Sequence, residues 1–246
     1  AAMLYVLAIG VAVSILAWAA ERAMALRGSA RRFVWVAALV ASVIVPFVLM
    51  LKPSVVPIME PAQTSTAIIG QSLGDGIADA RMRSEAHATY RTFREWPALP
   101  ELDRWLTWGW AGLSSALALW LFAASWALGR SLRHWPVETL DGQVVRISPD
   151  TGPAVCGVLS PSIVIPQWVA SAPESVRELV LLHERSHLSA NDPLIFRIGL
   201  LLVVLMPWNI PIWWQLHRLR FAIEVDCDAR VLDATRAGAV RYGEMV

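Results

Sequence analysis

The chain has 246 residues, of which 56% are hydrophobic and only 17% charged, and its 21 Lys and Arg nearly balance 20 Asp and Glu. Ordinary soluble domains carry about 25% charged residues, so this much apolar side chain is hard to hide in one soluble core. A net charge of +1 and the high apolar content exclude a disordered chain and a nucleic-acid module driven by charge. Cys156 and Cys227 form no recognisable spacing, which excludes a disulfide scaffold, and both read as free thiols. Ala at residue 1, and the ending Tyr242-Gly-Glu-Met-Val246 in mid-element, read as an excerpt of a longer membrane protein.

Three stretches lack charge over the length a helix needs to cross a bilayer core, about 20 residues. They are Met3 to Ala20, Phe33 to Leu51 and Trp105 to Gly129. The first has no basic lead-in and is followed at once by a second apolar run, so it reads as a span and not as a signal peptide. Trp18, Trp35, Trp105, Trp108 and Trp126 lie toward the ends of these runs, where indoles favour the headgroup layer. The link Glu21 to Arg32 holds Arg22, Arg27, Arg31 and Arg32, and the third run exits into Arg130 and Arg133. Positive charge at span ends marks the cytoplasmic side. The expectation is a multi-pass protein of a bacterial inner membrane, its start outside and everything after Gly129 inside.

Four parts follow: 1–52 as two spans with their link, 53–104 as an extracytoplasmic loop, 105–129 as the third span, and 130–246 as a cytoplasmic domain. In the loop, Pro53 to Gly76 reads as irregular and Ile77 to Trp96 as one polar helix ended by Pro97. No chemistry is read there, and His87 is a solvated residue. The cytoplasmic part opens with Val137 to Ser148, where Asp141-Gly142 between β-prone stretches predicts a hairpin. Ala154 to Val158 and Ser162 to Pro166 add two short strands.

Ser171-Ala-Pro-Glu174 has the form of a capping box. The helix after it, Val176 to Leu188, contains His183-Glu184-Arg185-Ser186-His187, an HExxH motif. Four residues make about one helical turn, so both imidazoles leave one face and can share a Zn²⁺. Glu184 stands beside the metal as base for water, while Arg185 and Ser186 form the polar edge of the helix. A catalytic zinc takes a third protein ligand and leaves one position open. Asp192, His217, Glu224, Asp226 and Asp228 are the candidates. Glu224 and Asp228 are again four apart, and they are favoured as ligand and as the acid accepting a ligand imidazole's far N–H. Asp226 would point elsewhere, and His217 sits among Arg218 and Arg220 as an interface residue. Cys227 reads as a small buried hydrophobe.

Leu194 to Trp214 is apolar apart from Arg197; as a fourth span it would put Glu224 across the bilayer from His183. Leu194 to Met206 is too short to cross, and Pro207-Trp-Asn-Ile-Pro211 should break the helix. The segment therefore reads as a membrane-associated helical hairpin, its first arm capped by Asp192 with Pro193 at the first helical position.

At these residues the chain resembles the integral-membrane metallopeptidase family of the BlaR/MecR β-lactam-sensing signal transducers. The likeness rests on Pro153 to Pro166, His183-Glu-Arg-Ser-His187 with Asp192 shortly after, the Trp208-Asn-Ile-Pro211 hairpin and Glu224-x-x-Cys227-Asp228. The resemblance implies His183, His187 and Glu224 as zinc ligands, Glu184 as catalytic base, and Asp228 as the acid supporting the ligands; Asp192 is read here as a second supporting acid. A sensor domain, if present, would lie after Val246, so β-lactam sensing is not carried over. The fold expected is a mainly α integral membrane protein: three transmembrane helices and a gluzincin-like zinc peptidase domain with a small β-sheet and the hairpin.

The function expected is a zinc-dependent endopeptidase that cleaves a cytosolic protein in a signalling pathway. Alternatives are a constitutive membrane-protein quality-control peptidase of the HtpX/Ste24 type, or a receptor with a structural zinc. Expected partners are a protein or peptide substrate, the lipid bilayer and a second copy of the chain, with no nucleic acid. Tyr242 is a candidate donor to the reaction's transition state.

Overall fold

The computed structural model describes residues 2–51, 100–157 and 160–235; the expected helix 77–96, His87 and Tyr242 lie outside them. Three long apolar helices come first: α1 (Ala2–Leu26), α2 (Arg32–Leu51) and α3 (Pro100–His134). All three are long and apolar enough to cross a membrane. They coincide with the expected spans but run further. α3 has 35 residues, about 52 Å of helix against a hydrocarbon core of about 30 Å, because nothing in Arg130 to His134 stops it.

A four-stranded sheet follows, built from β1 (Val137–Leu140), β2 (Gln143–Ser148), β3 (Ala154–Cys156) and β4 (Ser162–Pro166) in the order β1-β2-β4-β3. β1 and β2 form the expected hairpin, with Leu140 opposite Gln143. Asp141 and Gly142 turn at φ of 50° and 77°, the doubly left-handed geometry for which an Asp-Gly pair is suited. β4 lies parallel to β2 and antiparallel to β3.

Past the one-turn α4 (Gln167–Ala170), α5 (Glu174–Ser189) packs Leu181 on the sheet against Val145, Ile147, Ile163 and Ile165. The capping box does not form. Ser171 instead closes α4, its N–H donating to the Gln167 carbonyl, and Pro173 is the N-cap of α5 without a side-chain hydrogen bond. The Ser171 N–H, the donor that Glu174 would have satisfied, is already taken by the Gln167 carbonyl.

The hairpin is present. α6 (Asp192–Leu205) and α7 (Ile210–Ala234) meet at a break over residues 206–209. Asn191, at φ 56°, is the N-cap of α6, one residue earlier than expected; Asp192 is its first residue and its carboxylate is engaged elsewhere. The arms fit closely because Gly199 has no side chain: a Cβ there would stand 2.7 Å from Leu216 Cδ1. α7 then runs along α1 and α2 through a core of Ala17, Trp35, Leu39, Ile212, Leu216 and Leu219.

Inside that core lies fully buried Gln215. Its Nε2 donates to Ser14 Oγ (2.8 Å) and Ser42 Oγ (2.9 Å), binding α7 to both α1 and α2. Such side-chain hydrogen bonds join helices where lipid offers no hydrophobic drive. Further along, Arg218 pairs with Glu21, and Asp226 accepts the backbone N–H groups of Arg31 and Arg32 at 3.0 Å each. Contacts at Ser14, Glu21, Arg31 and Arg32 thus carry α7 along α1 to the α1–α2 link. α3 stands apart, with Trp110 Nε1 donating to the Leu205 carbonyl at 2.8 Å.

Candidate metal centre

α5 presents His183 and His187 one turn apart, and their Nε2 atoms lie 3.0 Å from each other. α7 brings Glu224 to the same point: Oε2 is 3.7 Å from His183 Nε2 and 3.5 Å from His187 Nε2. Zinc bonds of about 2.0–2.2 Å would space the ligand atoms of a tetrahedron by about 3.3–3.6 Å. Separations of 3.0, 3.5 and 3.7 Å bracket that spacing, and two imidazoles with one carboxylate are a suitable donor set. The residues fit the ion.

Acids stand behind both imidazoles. His187 Nδ1 faces Asp192 Oδ2 at 3.0 Å, and Asp228 Oδ1 lies 3.6 Å from His183 Nδ1. A carboxylate on the far nitrogen fixes the tautomer that leaves Nε2 free to bind a metal. Asp192, almost fully buried, also takes Arg32 Nη1 at 2.7 Å and Arg230 Nη2 at 2.8 Å. Arg230 in turn donates from Nε to Ser186 Oγ, so one edge of α5 is tied to α7. Asp226 points away to cap α2, and His217 is exposed on α7.

The electrostatics follow from this crowding. Hydrogen bonding to Cys227 and Glu224 raises the His183 pKa. Burial pulls His187 down, but Asp192, Cys227 and Glu224 together outweigh it and raise it. Glu224 is held well below the usual carboxylate range by the two imidazoles. Glu184, which is buried, moves the other way: burial raises its carboxyl.

Cys227 is buried with Leu179 and Val231, as a small hydrophobe would be, yet it is not remote from the site. Its sulfur lies 3.8 Å from His183 Nδ1 and 3.5 Å from the His183 carbonyl. His183, His187 and Cys227 offer ligand atoms within 4.8 Å of one another. The spacing Glu224-x-x-Cys227 carries this signal, since residues three apart share a helix face. Arg32 and Arg230 had no such signal, being single basic residues with no local pattern.

A cavity of about 690 Å³ opens over the centre, lined by Glu184 and Glu224, by Val155 of β3, by Phe196 and Leu200 of α6, and by Ser125 of α3. The metal ligands therefore face a chamber shared by the sheet, the hairpin and a span. No curated protein matches the chain. Residues 143–246 match the family described as BlaR1 peptidase M56, in agreement with the resemblance read from the sequence.

Proposed function

We propose that the chain, whose residues 143–246 match the family described as BlaR1 peptidase M56, is a membrane-associated, zinc-dependent endopeptidase. The observation that carries this reading is the convergence of His183, His187 and Glu224 from two helices beside buried Glu184. Zinc held there supplies Lewis acidity, bringing water toward a pKa of about 7 and polarising the scissile carbonyl. Glu184 takes the proton from the attacking water and returns it to the leaving amine. Burial raises its carboxyl, which makes it a stronger proton acceptor than an exposed carboxylate. Asp192 and Asp228 hold the imidazoles by their Nδ1 atoms, and the cavity takes the peptide.

The substrate is a cytosolic protein, cut as part of a regulatory response. The position of the centre supports the cytoplasmic side, since Asp192 and Asp226 touch Arg31 and Arg32 of the arginine-rich α1–α2 link. Glu184→Gln tests the chemistry. The account expects one zinc per chain to remain and peptide cleavage to fall by several orders of magnitude, and retained turnover would remove Glu184 as the base.

A further inference from the structure

We propose that Arg32, the first residue of α2, is a positioning residue of the metal centre, acting on His187 through Asp192. This rests on the metallopeptidase reading above. The Asp192 carboxylate divides its two oxygens: Oδ2 faces His187 Nδ1 at 3.0 Å and Arg230 Nη2 at 2.8 Å, while Oδ1 takes Arg32 Nη1 at 2.7 Å. Without Arg32 the second oxygen is left buried and unpaired, and the carboxylate is free to turn toward Arg230 and away from the imidazole. A buried carboxylate keeps its charge and its aim only while both are compensated.

Arg32 is itself held in place. The backbone N–H groups of Arg31 and Arg32 both donate to Asp226 of α7, two residues beyond Glu224. The first turn of α2 therefore touches both metal-bearing elements, the α5–α6 corner through Asp192 and α7 through Asp226. Arg31 and Arg32 lie outside residues 143–246, whereas Asp192 and Asp226 lie within them. The peptidase segment borrows part of its ligand support from a membrane-spanning helix, and the metal affinity reports where that helix stands.

The full chain in detergent, metal-free, is titrated with zinc against a competing chelator and with cobalt(II) as a spectroscopic probe. Loss of an outer partner of a metal ligand costs about 10–100-fold in affinity, and Arg32→Ala is expected to weaken zinc binding by that factor. The contact uses a single nitrogen, so Arg32→Lys is expected to recover most of it. Arg31→Ala, which keeps the backbone N–H, is expected to bind as the wild type does. The cobalt ligand-field bands, which report the setting of the imidazoles and not overall stability, shift in Arg32→Ala and return in Arg32→Lys. Should the alanine variant not accumulate, Arg32→Gln takes its place, and a graded loss from Arg to Lys to Gln supports the proposal. Equal affinities and unshifted bands across the series overturn it while leaving the peptidase reading intact. A wild type that binds no zinc overturns both.

Discussion

His183 and His187 meet through helix geometry alone, one turn apart on α5, whereas Glu224 reaches them only because α6 and α7 fold back beside two spans. The first half of the site is local and rests on a small apolar sheet; the second is tertiary and rests on buried polar contacts. Val145, Ile147, Ile163 and Ile165 support α5 by burial of apolar surface. Gln215, the Arg218–Glu21 pair and Asp226 locate α7 by hydrogen bonds and charge. A surface that faces lipid gains nothing from burying more hydrocarbon, so register along a span has to come from such polar contacts. The carboxylate ligand is therefore as well placed as the membrane-embedded packing that delivers it.

The comparison breaks most severely at the ligand itself. Glu224→Ala leaves both histidines in place and is expected to lower zinc affinity by more than about 100-fold, beyond the range for an outer partner, as read by chelator competition. The outer acids sharpen it. Asp192→Asn, at 3.0 Å from its imidazole, should cost about 10–100-fold, and Asp228→Asn, at 3.6 Å, less. A reversed order would mean that His183, not His187, depends on its acid. Protons give a third test. The two Nε2 atoms are 3.0 Å apart with both histidine pKa values raised, so the metal-free pair holds a proton at neutral pH that a metal must displace. Zinc uptake should release at least one proton, measured calorimetrically in buffers of different ionisation enthalpy. Affinity should rise with pH through the neutral range. In the metal-free chain a raised histidine pKa works the opposite way, stabilising the fold below the ordinary value of 6.5 and fading as pH rises toward the shifted value. The smallest effect falls in the hairpin. Gln215→Leu removes the side chain that joins Ser14 to Ser42, although Ser14 keeps its bond to the Gly10 carbonyl, and should lower stability by about 1 kcal/mol, seen as an earlier melting transition in micelles.

How much of this was legible in the sequence follows the same division. HExxH carries its own geometry, and the three long apolar helices, the Asp141-Gly142 hairpin and the break at Pro207 to Pro211 were readable because charge, turn chemistry and proline act locally. The favoured choice of Glu224 needed the hairpin to close, which short length and two prolines indicated. The cap failed at Ser171, whose N–H closes the preceding helix on Gln167, and was off by a residue at Asp192, whose carboxylate is claimed by His187, Arg32 and Arg230. Gln215, Arg32 and Arg230 were not legible. Each is a single polar residue whose partners lie far along the chain, and no spacing announces them. Cys227 falls between: burial was readable, its approach to His183 was not.

The peptidase reading requires one ion held jointly by His183, His187 and Glu224. X-ray absorption at the zinc edge on the metal-loaded full chain tests it most directly. The expected result is a first shell of nitrogen and oxygen at about 2.0–2.2 Å with the scattering of two imidazoles. A sulfur at about 2.3 Å would give the third position to Cys227, and a shell with fewer than two imidazoles would contradict the site altogether.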